Sequence, residues 1–250
     1  MNKLLFLFCL WTGVFFPLPE HVENSIPDSG LVAYYSFNDC QVTDITGNGS
    51  DGKILGSGGD CRCGVEGNGI LLDGQTDYIE FSGPINDYFT TSDFTLSFYF
   101  KPIGQSIFKQ SLVGKRTTCE DDHALDVMLD MRNEMMLTDF IEEEFIAFGD
   151  LSAGLDAGGW HHYALVRNGF RAYTYINGKL MNEARKCSGV DIANDTPLSI
   201  GNSPCVGSGA RRFNGVVDEL RLYEKPMSAQ KIMSLYSKTK VEDAEKGCVS

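Results

Sequence analysis

Residues Trp160–Leu180 read WHHYALVRNGFRAYTYINGKL. Two Asn-Gly dipeptides, Asn168-Gly169 and Asn177-Gly178, flank Phe170–Ile176, a run of aromatic and β-branched residues. Asn-Gly accepts the positive backbone angles that a tight hairpin requires, so two in succession predict a three-stranded antiparallel meander. In the first strand Trp160, His162, Ala164 and Val166 share one face, and His161, Tyr163, Leu165 and Arg167 share the other. Neither face is plainly polar. Such a strand is covered on both sides, which places the meander inside a stack of two sheets.

Working outward, the pattern repeats. Leu31–Phe37, Gly69–Leu72, Asp77–Phe81, Phe94–Phe100, Leu112–Lys115, Ala124–Met131, Glu134–Phe140, Phe145–Phe148, Pro197–Gly201 and Phe213–Tyr223 all read as strands. Asp73-Gly74 reads as a further hairpin turn, and Arg132-Asn133 joins two more strands. Ser228–Tyr236 has the one helical pattern, with Ser228 as its N-cap. About a dozen short strands with frequent turn signals predict an all-β fold, a two-sheet antiparallel jelly-roll sandwich with one short C-terminal helix.

Length and charge bound the function. The chain has 250 residues and a formal net charge of −13. Clustered Lys and Arg are what phosphate backbones need, so nucleic acid is excluded as a partner. Lys3 precedes the apolar run Leu4–Phe16, which is too short to cross a bilayer and reads as a secretory signal peptide. Residues 1–22 are expected to be removed, 23–29 to be a short linker, 30–237 to form the domain and 238–250 a mobile polar tail. The mature protein is then secreted or at the cell surface, without membrane insertion. Export suits seven cysteines beyond Cys9, which read as disulfide partners rather than metal thiolates. Cys40 with Cys61 or Cys63 would pin the loop between them, while Cys187 and Cys248 stay unassigned.

Six segments in order, GLVAYYSFND, DITGNGSDGKILG, GILLDGQTDYIEF, FTLSFYFKP, WHHYALVRNGFRAYTYINGKL and FNGVVDELRLYEKPMS, resemble the LamG-like, concanavalin A-like jelly-roll family. The resemblance spans about Gly30 to Tyr236. It implies two curved antiparallel sheets, often a structural calcium ion, and roles in glycan binding, adhesion or attachment to enzymes. The family's D-x-S-G-N-x-x-D-G pattern and its D-E-L-R strand map calcium ligands onto Asp44, Asn48, Asp51 and Asp218. Calcium takes about six to eight oxygen ligands, and the glycines of Asp44–Gly52 let carbonyls turn inward. The competing reading of that loop is a polar Asx-type turn. The joint occurrence of GKR-x-x-C and S-P-C in such sequences implies a Cys119–Cys205 bridge.

Catalysis finds little support in the residues. Retaining glycosidases of this fold carry E-x-D-x-E on one strand, and that motif is absent here. Asp126 and Asp130 share a strand face with Met128 between them. Alternation sends Asp218 and Glu219 to opposite faces, and likewise His161 and His162. Tyr88, Trp160, Tyr173, Tyr175 and the Arg211-Arg212 pair could contact sugar, but cross-strand packing explains the aromatics equally. The expected function is a non-catalytic module binding a glycan or an extracellular protein. The alternatives are an atypical glycoside hydrolase and a purely structural matrix protein.

Overall fold

The computed structural model describes residues 29–120, 122–156, 158–186, 189–239 and 241–245. The expected signal peptide, Cys187 and Cys248 lie outside these residues. Among the described residues there are seventeen strands and one α-helix, with two short 3-10 turns. They begin with β1 (Leu31–Tyr35), β2 (Gly52–Leu55), β3 (Asp60–Cys63), β4 (Asn68–Asp73), β5 (Tyr78–Phe81) and β6 (Phe94–Pro102). The next are β7 (Lys109–Lys115), β8 (Asp122–Asp130), β9 (Met135–Glu143), β10 (Ile146–Ala147) and β11 (Ala153–Gly154). After β12 (His161–Asn168), β13 (Arg171–Ile176) and β14 (Lys179–Arg185) come β15 (Ser199–Ile200), β16 (Ala210–Arg212), β17 (Asn214–Tyr223) and α1 (Ala229–Lys238).

Two sheets result, as the strand pattern predicts. The eight-stranded sheet runs β14-β13-β12-β6-β17-β4-β3, with β1 also on β17. The nine-stranded sheet runs β10-β9-β8-β7-β15-β5-β2, with β11 on β9 and β16 on β7. All pairings are antiparallel except β16 beside β7. Between the sheets lies a core of alternate residues, among them Phe98, Phe100, Leu125, Val127, Tyr163, Leu165 and Leu220.

The meander is present, and β12 is buried at every position but its last. One face meets the core; on the other, Ala164 and Val166 pack under Ile232 and Leu235 of α1. Ser228 caps that helix, its Oγ accepting the Lys231 amide at 3.3 Å. The second turn is Asn177-Gly178 with both φ angles positive (49° and 74°), between paired Ile176 and Lys179. The first is displaced by one residue from the sequence reading. Asn168 still pairs with Arg171, so the loop is Gly169-Phe170, with Gly169 alone left-handed (φ 57°). A first-position glycine is what that second hairpin class needs, and it puts Phe170 at the tip.

Asp73-Gly74 is not a hairpin. Strand β4 pairs with β17 and β3, and β5 pairs with β2 and β15, so the turn carries the chain from one sheet to the other. Asp73 Oδ1 accepts the amides of Gln75, Thr76 and Asp77, each at 2.8 Å, and fixes that crossing. Part of the tail contacts the domain: the Glu245 carboxylate accepts Trp160 Nε1 at 3.0 Å and pairs with Lys101.

Candidate functional site

The predicted calcium ligands fall into two separate constellations. Asp44 is buried in the loop after β1. Its Oδ1 accepts the amides of Tyr34 (3.2 Å) and Thr46 (3.0 Å) and the Thr46 hydroxyl (2.7 Å); Oδ2 faces the Ser50 amide at 3.4 Å. Asp51 Oδ1 accepts the Asp44 amide at 2.8 Å, and the Asn48 amide group donates to the Val32 carbonyl at 3.0 Å. Asp218 serves a different loop. Its Oδ2 takes the amides of Val65 (2.8 Å) and Glu66 (3.2 Å), and its Oδ1 that of Glu219 (2.8 Å).

Amide hydrogens already point at the carboxylate oxygens, and charge-assisted bonds of this kind satisfy a carboxylate without metal. Among the described residues no three His, Cys, Asp or Glu side chains gather so as to hold a metal ion. Cys40 and Cys61 form a disulfide that ties the start of the Asp44 loop to β3, and Cys63 is disulfide-bonded as well.

Asp218 and Glu219 do not diverge as alternation predicts. The register of β17 slips between Asp218 and Arg221, and Glu219 has φ 53°, so the core-facing positions jump from Val217 to Leu220. A bulge of this kind adds one residue to the outward side. Glu219 accepts the Tyr34 hydroxyl at 2.9 Å and pairs with Arg221, whose guanidinium lies 4.0 Å over the Tyr34 ring. Burial, then the neighbouring Glu219, pushes the Asp218 carboxyl up to about 8. Burial likewise raises Glu219, against the pull of Arg221. His161 and His162 do diverge. His161 stacks on Phe100, and His162 sits between Tyr99 and Tyr236, with Nε2 against Ser97 Oγ at 2.8 Å. Burial lowers both imidazoles, and for His162, where Arg221 adds to it, down to about 3. They are packing residues.

The open site lies on the other sheet. Along β8, Leu125, Val127 and Leu129 point into the core, so Asp126, Met128 and Asp130 face outward. The register pairs Asp126 with Asp139 and Met128 with Leu137 across β9. Over this face runs the loop ending in β16, tied down by the Cys119–Cys205 disulfide. Between them is a groove of ≈470 Å³. Phe108, Met128 and Ala210 line one part of it; Asp130, Arg132, Asn133 and Asp139 bring polar groups to another. Ile107 and Phe108 stand exposed at its rim, with the Arg211 guanidinium 4.2 Å over the Phe108 ring.

The floor of the groove is built on paired and hydrogen-bonded charges. Arg116 is buried and ion-paired with Asp126 at 3.3 Å, while its other nitrogens donate to the carbonyls of Thr118 (2.7 Å) and Glu120 (2.6 Å). Asp126 is fully buried, and burial pushes its carboxyl up to about 7 although Arg116 pulls it down. Asp130 is engaged by the amide and side chain of Asn133, at 3.1 and 2.8 Å. Asp126 and Asp130 therefore do not form an exposed acid and nucleophile. Of the aromatics proposed for sugar contact, Trp160 and Tyr175 are buried, Tyr88 packs on the core and Tyr173 on the cluster under α1. Arg211 reaches the groove rim, whereas Arg212 lies over Tyr78.

A family model described as the concanavalin A-like lectin/glucanases superfamily matches residues 73–233. The chain belongs to that superfamily. Among curated proteins none matches the sequence. Solved structures share the superfamily fold at low identity. The binding domain of Paraclostridial Mosquitocidal Protein 1 superposes with a TM-score of 0.65 at 17% identity, covering 84% of this chain and 52% of that one. Domain 4 of AbnA, a GH43 extracellular arabinanase from Geobacillus stearothermophilus solved with arabinotriose, gives 0.60 at 20% identity, covering 82% and 98%. The binding domain of botulinum neurotoxin DC, solved with rat synaptotagmin II, gives 0.63 at 10% identity, covering 84% and 52%. This lectin/glucanase-type chain thus spans about half of the two toxin binding domains and nearly all of the arabinanase domain.

Proposed function

We propose that this chain is an extracellular, non-catalytic module that binds carbohydrate or another surface ligand in the groove over β7, β8 and β9. The observation that carries the reading is the groove itself: an exposed aromatic beside Asp, Asn and Arg groups, on a sheet face clamped by a disulfide. Rigid elements presenting an apolar platform and a few convergent polar groups are what ligand sites require. Two of the neighbours named above are toxin binding domains and the third, a domain of an arabinanase, was solved with arabinotriose, and their shared fold supports a binding role here. The bridges Cys40–Cys61 and Cys119–Cys205 support an oxidising compartment. No helix among the described residues is long and apolar enough to cross a membrane. A hydrolase is disfavoured because Asp126, one of its two carboxyls, is sealed from solvent.

A glycan array tests the proposal, with Phe108→Ala and Asp139→Asn as controls. Binding to a defined glycan class that both variants lose by about tenfold is the expected result. No binding to any glycan or surface extract, or binding indifferent to both variants, overturns it. The Asp44 loop, on this reading, is closed by the Asp44 and Asp51 carboxylates themselves rather than by calcium, which melting with and without EDTA decides.

A further inference from the structure

Two Asn-x-Ser/Thr triplets in which x is not proline occur in the chain, Asn48-Gly49-Ser50 and Asn194-Asp195-Thr196. In an exported protein this triplet is the acceptor of N-linked glycan, and its use calls for a surface loop. The structure separates the two. Asn194 is engaged from every side: its Nδ2 donates to the carbonyls of His123 (2.7 Å), Ile192 (3.1 Å) and Lys115 (3.3 Å). Its Oδ1 accepts the Thr196 amide at 3.0 Å and Lys115 Nζ at 3.2 Å. A primary amide has two hydrogens, so a sugar at this nitrogen would break the cluster around the buried Lys115. Asn48 is exposed in the loop after β1, between Gly47 and Gly49, both left-handed (φ 77° and 82°). A Cβ at either glycine would meet no atom within 4 Å, so the space beside Asn48 is open. Its Nδ2 donates to the Val32 carbonyl at 3.0 Å, and the second hydrogen is left for substitution.

We infer that Asn48 carries an N-linked glycan and that Asn194 does not, an inference that rests on the extracellular reading above. The donor is an oligosaccharide joined through pyrophosphate to a polyprenyl lipid. Nδ2 of Asn48 forms a bond to C1 of the first sugar. The C1–O bond to pyrophosphate breaks, the leaving group keeps the electron pair, and one amide proton passes to a base of the transferase. Ser50, the third residue of the triplet, is buried, with its Oγ accepting the Ile85 amide at 2.9 Å. Its hydroxyl is therefore open to the transferase only before this loop closes, as transfer to an emerging chain requires. The folded state then sorts the two positions. A chain modified at Asn48 folds with the Val32 bond kept, whereas one modified at Asn194 cannot close the loop around Lys115.

The full chain, made with its own N-terminal segment in a secreting eukaryotic cell, tests this by glycopeptide mapping and by the gel shift on peptide N-glycosidase treatment. Expected is one glycan, on Asn48, with Asn194 unmodified. Asn48→Gln and Ser50→Ala should each abolish the shift, since they destroy the triplet at different atoms, and Asn194→Gln should leave it in full. The mapping itself needs no variant, so a misfolded mutant does not blunt it. A secreted chain with both bridges formed and Asn48 bare overturns the inference while the extracellular reading stands. A glycan on Asn194 of the folded, secreted chain overturns it as well. A chain kept in the cytosol with its cysteines reduced defeats the extracellular reading, and the inference with it.

Discussion

The two sheets carry similar acidic residues on their outer faces and use them in opposite ways. On the eight-stranded sheet, Asp218 and Glu219 lie buried, every oxygen turned to a backbone amide, a tyrosine or an arginine. The loop after β3 and the Tyr34 side chain of β1 enclose them. On the nine-stranded sheet, Asp130 and Asp139 stand at the wall of an open groove, above an Asp126–Arg116 pair that anchors its floor. The difference is one of enclosure: the Asp218–Glu219 set is spent on contacts inside the sandwich, whereas Asp130 and Asp139 line a groove where the proposed ligand would bind.

The largest effect expected from that contrast is on stability. Glu219→Ala strands the Arg221 guanidinium and the Tyr34 hydroxyl in a buried site, and breaking one side of a buried pair costs about 3–5 kcal/mol. Asp139→Asn, at the groove wall, should cost under about 1 kcal/mol. Denaturant midpoints measure both. Equal losses would erase the distinction between the two faces.

Next is the pH dependence of the covered face. His162 has a folded value near 3, so the unfolded chain takes up a proton below about 6.5 that the folded chain refuses. Its contribution is therefore complete above about 6.5 and is lost as pH falls toward 3. Asp218, raised to about 8, acts the other way: its folded form keeps a proton the unfolded chain releases above about 4, so stability declines as pH rises from there to 8. His162→Phe retains a ring between Tyr99 and Tyr236 and should flatten the acid limb, lowering the plateau above pH 7 through the lost Ser97 bond. An acid limb of unchanged slope would show that His162 is not the group responsible.

Much of this architecture is legible in the chain. The aromatic meander, the alternation along Phe94–Phe100, a final strand within Phe213–Tyr223 and the helix behind Ser228 are all present where the sequence pattern puts them. What was not legible depends on long-range closure. Asp73-Gly74 has the residues of a hairpin, but the partners of β4 and β5 lie in different sheets, and a local signal contains no such information. The bulge at Asp218–Glu219 needs a positive φ at a glutamate, which no propensity announces. The groove was partly within reach. A turn centred on Arg132-Asn133 sets Asp126 opposite Asp139, so the register alone brings those two carboxylates together. The bridge that ties the β16 loop beside them joins residues 86 positions apart and is the Cys119–Cys205 pair the family resemblance implies, but the course of the loop itself had no local signal.

A smaller effect concerns ligand and not stability. Arg132→Ala and Phe108→Ala leave every covered contact in place, so their melting curves should match the parent within about a degree. Affinity for whatever ligand the array identifies should drop by about tenfold for each. The reverse pattern, lost stability with retained affinity, would assign the groove to the scaffold along with the covered face.

The smallest effect is the response to chelation. An ion present at a hundred times its dissociation constant adds about 2.7 kcal/mol, which would move the melting temperature by several degrees. The Asp44 loop gains its closure from four protein donors to a single carboxylate, and Asp218 spends its oxygens on three amides elsewhere. EDTA is therefore expected to leave the melting temperature unchanged, whereas Asp44→Ala lowers it with and without chelator by freeing buried amides that nothing else accepts. A drop of several degrees in EDTA, absent in Asp44→Ala, would show that a cation displaces those amides and that this loop, too, binds a ligand.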